Sequence, residues 1–381
     1  MSSSCNIQLP VLETWIKIIA VQVGLVVFVA IPLGTIFYYT FAKNNNARSP
    51  TTISGLTMIV GLVTAFQMPD VVARLLSAVT KEEEVHWMVH FVTSCVGFAS
   101  VFKSFAIIQH NYPPEVDLDF RSFLCWYVSF TEPVFLKDKM KNVAIREILD
   151  RGALLVGKVL GLFTILTCFR SFGLYPSQYS SSISLPSFAG TLIDGFVHVW
   201  FIYFFLAFAL DFGIIFYSVL FFASVEPGFT NPLLTSRSMR ECWAQKWNLS
   251  VQILLKRNVY IPCRKAGIRR ELSTVLTFLA SGLLHEYTFS THNTVAYRMG
   301  EATLFFTMMG MLVLVEGAIA STIPLQVQEL FEKVPSVVIS SFLVLSVAAA
   351  VPLFLRSWLE SGVIEATSEM FPHFLCTSES G

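Results

Sequence analysis

From Ile18 to Ala42 the chain carries no Asp, Glu, Lys or Arg, and an uncharged apolar run of that length is long enough to cross a hydrocarbon core, which takes about 20 helical residues. Lipid offers the backbone no hydrogen-bond partners, so a chain that repeats such runs is confined to helix bundles or closed barrels. The run lacks a preceding basic region and a following small-residue cleavage site, so it reads as a retained membrane helix. Eight candidate segments emerge along the sequence. Four suffice on length: 16–41, 50–69, 271–290 and 334–356. Segment 85–108 carries His86, His90 and Lys103, and 152–173 carries Lys158 and Arg170, whose long stems are suited to snorkelling. Segment 195–225 holds only Asp211 as a formal charge and exceeds one perpendicular span, predicting tilt, a kink or two pieces. Segment 302–325 is interrupted by Glu316. The expected architecture is all-α: a polytopic bundle of about eight membrane helices plus interfacial amphipathic helices, forming a single domain over 1–381.

Charge supports that reading and adds orientation. Only 14% of residues are charged, the mean hydropathy is +0.63 and the formal net charge is zero, so the overall balance gives no sign of a nucleic-acid partner. Basic residues concentrate in 109–151 and 226–270, whereas 174–194 has no Lys or Arg. Two helices separate the basic segments, which places both on one side, predicted to be cytosolic, with both termini opposite. The cysteines at 5, 95, 125, 168, 242, 263 and 376 form no CxxC pair and mostly fall in or beside apolar stretches. Neither a disulfide framework nor a metal site is predicted from them. His86 and His90 have i,i+4 spacing, but seven histidines are too few for a membrane di-iron cluster.

Two stretches carry chemistry. Over 236–262 a capping box, Ser238 with Glu241, predicts a helix start. Met239, Trp243, Trp247, Val251 and Leu255 then recur every four residues beside a polar stripe of Glu241, Gln245, Asn248, Gln252 and Lys256. That pattern predicts one interfacial helix, with Pro262 past its end. A surface anchor would have the same pattern. Over 271–290 a membrane helix bears His285 and Glu286, and ionisable residues at such depth face a protein interior or a cavity. A histidine bonded to a neighbouring helix is the plainer alternative. Ala280, Ser281 and Gly282 allow close approach of a helix or a lipid substrate. His285 lies 15 residues beyond Arg270, roughly 22 Å along the axis.

Phe229, Pro232, Ser236, Ser238, Trp243, the block Lys246-Trp247-Asn248 and the run Ser281-Gly282-Leu283-Leu284-His285-Glu286 together resemble the membrane-bound O-acyltransferase superfamily, specifically its wax-synthase-like branch. The resemblance is clear over 229–290. The 37-residue step from Asn248 to His285 also looks like the family. Cys242 and Ala244-Gln245 depart from the branch's usual aromatic and more basic or glycine-containing residues. What the resemblance implies is esterification of a long-chain alcohol by fatty acyl-coenzyme A at the endoplasmic reticulum, without a permanently bound cofactor. His285 would be the general base. Asn248 would orient substrate or hydrogen-bond the thioester. Lys246, Trp247, Lys256 and Arg257 would meet coenzyme A, and Trp243, Ser281 and Glu286 the lipid substrates. The basic residues are equally explained by ordinary cytosolic charge. Sterol or diacylglycerol acceptors are the near alternatives. A transporter using Asp211, Glu316 and His285 would be expected to show repeated halves, and no internal repeat is visible.

Overall fold

The computed structural model describes residues 3–43, 52–80, 87–172, 187–290 and 298–378. Strand β1 (Ser3–Gln8) leads into α1 (Leu12–Phe41). Pro32 sits inside α1 directly after a π turn at Val26–Ala30, where the hydrogen-bond register has already slipped and the missing N–H matters least. Helices α2 (Thr52–Thr80) and α3 (Trp87–Ile108) follow. The first basic segment is folded. Asp119 accepts from the Ser122 N–H at 2.8 Å and starts α4 (Phe120–Val128), after which β2 (Phe135–Leu136) and β3 (Lys139–Met140) form a hairpin. Next come α5 (Ile145–Phe172) and α6 (Ser187–Phe221). The second basic segment holds α7 (Met239–Glu241), extended by a π turn to Lys246, and α8 (Leu249–Leu255), which continues through Tyr260 to Lys265. The remaining elements are α9 (Arg270–Ser290), α10 (Glu301–Ala320), α11 (Leu325–Lys333), α12 (Ser336–Ala348), α13 (Val351–Glu360), α14 (Val363–Met370) and β4 (His373–Ser378).

Among the described residues, five helices are long and apolar enough to cross a membrane, or six if α11 and α12, bent by 100°, count as one. Eight were expected. Segment 334–356 is not one span, because the chain turns at Ala349–Ala350 between α12 and α13. The described part of segment 50–69, from Thr52, is helical within α2, and 271–290 is helical within α9, which is not among the five. In α9 the reason is visible: His285, Glu286 and several hydroxyl residues dilute its hydropathy. Segment 195–225 lies, as far as Phe221, in a single 35-residue helix and not in two pieces; residues 222–225 follow it. At 1.5 Å per residue it is about 50 Å long, so it must tilt or project beyond the bilayer.

Several charges within these helices have partners. Lys103 does not snorkel; it is buried and donates to the carbonyls of Trp126 and Ser129, capping the end of α4. Lys158 pairs with Asp211, as a packing ion pair between α5 and α6, and Arg170 lies 3.8 Å from Glu365. Glu316 makes no ion pair with Lys158 or Arg170. Its carboxylate accepts from the backbone N–H groups of Met239, at 2.8 Å, and Arg240, at 3.1 Å. His86 lies outside the described residues, among which no cluster of His, Cys, Asp or Glu is arranged to hold a metal.

The core joins α1, α3, α6, α13 and α14 through large rings. Trp87 stacks on Phe91 at 5.5 Å, and both meet the edge of Trp358. Helices α9 and α10 approach so closely that a Cβ on Gly282 would sit 2.5 Å from the Thr303 Cα. At the opposite extreme of sequence separation, β1 pairs antiparallel with β4 and sets Cys5 across from Cys376, which form a disulfide. The expectation of no disulfide is therefore corrected. Motif spacing is a local test, and these cysteines are 371 residues apart. The described ends of the chain consequently lie on one side of the bundle.

Candidate active site

The site is built where α7 gives way to α8. Ser238 Oγ accepts from the Glu241 N–H at 2.9 Å, as the capping box predicts, while the Glu241 carboxylate reaches the N–H of Arg237 at 2.7 Å. Burial alone would raise the Glu241 pKa. The bonds from Lys246 and the Arg237 N–H outweigh it and hold the carboxyl below its ordinary value. The helix then breaks, contrary to the single amphipathic helix expected. Trp247 is extended and Asn248 is left-handed, with φ 40° and ψ 64°. Asn is among the few residues that adopt this conformation readily, because its side chain can bond locally. Here Oδ1 accepts from the Val251 N–H at 3.4 Å and begins α8.

The segment before α7 clamps the break. The Leu249 N–H donates to the Gly228 carbonyl at 2.8 Å, and the Thr230 N–H to that of Lys246 at 3.1 Å. Phe229 sets its edge on Trp247 at 5.4 Å. The Phe-x-x-Pro stretch and the Trp-Asn block thus form one packed unit. Pro262 lies within the helical run, not past it, just after the π turn Lys256–Tyr260.

A cavity of about 850 Å³ brings this unit against α9. Arg270, Thr274, Thr277, Ser281 and His285 line it along one face of α9. Thr274 and Thr277 donate their hydroxyls back to the carbonyls of Arg270 and Ser273, so each can present lone pairs to the cavity. His285 Nδ1 lies 2.7 Å from the Ser281 carbonyl. A carbonyl only accepts, so Nδ1 carries the proton and Nε2 keeps its lone pair. The imidazole stacks on Phe306 at 4.2 Å and meets the edge of Phe354 at 5.3 Å, which fixes the ring plane. Trp243, Trp247, Asn248 and Lys256 complete the wall from the α7–α8 side.

Residues 225–308 match the family described as membrane bound O-acyl transferase. The similarity to that family lies in this segment, 84 of the 381 residues. The matched stretch contains the α7–α8 break, all of α9 and the first part of α10. Among similar proteins, the probable long-chain-alcohol O-fatty-acyltransferase 9 of Arabidopsis thaliana is 36% identical over 111 residues, 27% of this chain and 31% of the relative. Number 7 of the same series is 31% identical over 133 residues, covering 33% and 39%. Diacylglycerol O-acyltransferase 1-1 of Oryza sativa subsp. japonica is 32% identical over 90 residues, 24% of this chain and 16% of the relative. The matches to the long-chain-alcohol relatives thus span about a third of their length.

Within the family's segment, not every residue singled out from sequence lines the cavity. Lys246 points to Thr235, bonding its carbonyl at 2.6 Å, and pairs with Glu241 at 2.7 Å. Arg257 forms a two-pronged pair with Glu132, one prong at 2.6 Å. Glu286 Oε1 accepts from the N–H groups of Gly300, at 3.0 Å, and Thr303, at 2.8 Å, and so caps α10. These three residues are absent from the cavity wall. Each is claimed by another partner: Lys246 by Thr235 and Glu241, Arg257 by Glu132, and Glu286 by the start of α10. Conversely, Arg240, Arg270 and Glu271 line the cavity without having been assigned to it, as do Phe306 and Phe354. The charged three belong to or adjoin a recognised basic segment, which was a usable signal. The two rings come from α10 and α13, and nothing in a linear pattern links them to His285. Cys242 also lines the cavity, but burial pushes its thiol up to about 11, which disfavours a thiolate nucleophile there.

Proposed function

We propose that this chain is an acyl-coenzyme A-dependent O-acyltransferase that esterifies a long-chain fatty alcohol within the membrane, giving a wax ester. The observation that carries the reading is a single cavity reaching from Lys256 and Arg270 to His285, whose Nε2 is the free basic nitrogen. Nε2 takes the alcohol proton as the oxygen attacks the thioester carbonyl. The C–O bond forms, the tetrahedral centre collapses with loss of the C–S bond, and the imidazolium returns the proton to the departing thiolate, giving ester and free coenzyme A. Asn248 hydrogen-bonds the thioester or orients the alcohol. Lys256, and beside it Arg270, meets phosphate groups of coenzyme A at the mouth, which is 15 residues of α9 from the base. Enclosure by Trp243, Phe306 and Phe354 keeps out water that would hydrolyse the donor.

In this reading the basic segments 109–151 and 226–270 face the cytosol of an endoplasmic-reticulum membrane. The disulfide-joined residues 5 and 376 then face the oxidising lumen. A diacylglycerol acceptor is the second reading, favoured by the similarity to the rice protein.

The test is expression in a host without neutral-lipid synthesis, with fatty alcohol, sterol or diacylglycerol supplied and the ester identified. Wax ester from the wild type, and at least about 10²-fold less from His285→Ala, is expected. Absence of any ester with all three acceptors would sink the enzymatic reading, and triacylglycerol as the sole product would replace the acceptor.

A further inference from the structure

A second cavity, of about 400 Å³, lies between the start of α5, the end of α6 and the segment after α6. Its wall includes Glu147, Asp150, Arg151, Leu154, Ser218 and Glu226, none of which lines the larger cavity. The charges there are unevenly satisfied. Glu147 is held by Lys141 Nζ and by the Ser224 hydroxyl, each at 2.6 Å. Asp150 stays at the outside with Arg146. Arg151 has only a contact to Asp211 Oδ1 at 3.5 Å, long for a charge-assisted bond, and Asp211 is already engaged by Lys158. Two cations therefore share one carboxylate, with side chains 24%, 13% and 4% exposed for Arg151, Lys158 and Asp211. Glu226 and Glu147 are near enough for their charges to act on Arg151, yet no ion pair within 4.0 Å joins either of them to it, and Glu147 is already held by Lys141 and Ser224.

A guanidinium and a carboxylate held apart across a void fit a ligand that carries both opposite charges. Surroundings specify its source. Leu149, Leu154 and Leu160 on α5 and Val219 and Leu220 on α6 are exposed, and both helices are apolar enough to cross a membrane, so this surface meets lipid acyl chains. We infer that this cavity binds the headgroup of a zwitterionic glycerophospholipid, its phosphate on Arg151 and its amine on Glu226, with its acyl chains along the exposed apolar surface of α5 and α6. The lipid neutralises the shared-carboxylate cluster in place and docks the basic segment 109–151 to the bilayer surface.

The test uses the full purified chain in detergent and native mass spectrometry, with phosphatidylethanolamine and phosphatidylglycerol of matched acyl chains. The wild type should retain phosphatidylethanolamine about tenfold better than phosphatidylglycerol, which has the phosphate but no amine; that is the worth of one charge-assisted hydrogen bond. Glu226→Gln should erase the preference, and Arg151→Gln should lower retention of both lipids by a similar factor. Soluble glycerophosphoethanolamine should not displace the lipid, since it lacks the chains. Equal retention of the two lipids by the wild type would overturn the inference, as would an unchanged preference in Glu226→Gln. Displacement by the soluble headgroup would reassign the site to a soluble ligand. Glu226 is exposed, so its variant decides the matter even if Arg151→Gln does not fold. No arm depends on ester formation.

Discussion

Asn248→Gly and Asn248→Ala separate what this residue does for the backbone from what it does for the reaction. At φ 40° and ψ 64° an alanine is strained by about 1–2 kcal/mol, and a glycine is not. Loss of the cap to Val251 adds about 0.5 kcal/mol for alanine, the low end of capping energies because the bond is long at 3.4 Å, and only a few tenths for glycine. Alanine should therefore destabilise the α7–α8 junction by about 2 kcal/mol and glycine by much less than 1. If the amide also bonds the thioester in the transition state, both variants lose about 3 kcal/mol of transition-state stabilisation, or roughly 10²–10³ in kcat. The assay pairs thermal unfolding in detergent with initial rates of ester formation at saturating donor. Asn248→Gly is expected to unfold near the wild-type temperature and turn over at least about 10²-fold more slowly. Wild-type kcat in Asn248→Gly would refute a chemical role and leave Asn248 as a residue chosen for its backbone alone.

Other expectations follow the same contacts. His285→Ala should lower kcat by about 10²–10⁴, with donor binding, measured by a non-hydrolysable thioester analogue, largely intact. Gly282→Val should prise α9 from α10, because its Cβ meets the Thr303 backbone; a lower unfolding temperature is expected, and an unchanged one would show that the helices can separate freely. Reduction of Cys5–Cys376 should destabilise the protein by about 2–4 kcal/mol and expose two further thiols to maleimide. For Glu241 the folded pKa is depressed, so its stabilising contribution is complete above the ordinary carboxylate pKa and is lost as pH falls through the lower folded value. Glu241→Gln should thus reduce stability at neutral pH and narrow the gap to wild type under acid, read by unfolding temperature against pH.

Much of the helical architecture and the two halves of the candidate site were legible because both are written in contiguous residues. An imidazole inside an apolar run and two indoles beside an asparagine are local signals. The break at Asn248 was not legible, since the period of four in Met239, Trp243, Trp247, Val251 and Leu255 is as good across the break as within a helix. What makes the break is the clamp by Gly228 and Thr230, a contact between segments. Glu286 was read as a substrate contact because it neighbours His285, yet adjacent helix positions point about 100° apart, and the orphan N–H groups of α10 claim it. The disulfide depended on a strand pairing that closes almost the whole chain, which no spacing rule can see.

Helix α10 carries no recognised signature residue, and it is what sets the two signature elements in relation to each other. Glu286, next to His285 in sequence, caps its start, and Glu316 reaches from its far half to the first N–H groups of α7. Between these anchors Phe306 stacks on His285 at 4.2 Å and meets Trp243 at 6.0 Å. A carboxylate accepting two backbone N–H bonds at a helix start contributes on the order of 1–3 kcal/mol, and Glu316→Gln keeps one acceptor while Glu316→Ala keeps none. Glu316→Ala should therefore loosen Trp243 against Phe306, raising KM for the lipid substrate more than it lowers the unfolding temperature, with Glu316→Gln intermediate. Indole fluorescence offers a readout apart from turnover, because a freed Trp243 would become more accessible to a quencher. Equal quenching in all three proteins would mean that α7 is held by its packing alone, and that the carboxylate merely satisfies donors that water would otherwise reach.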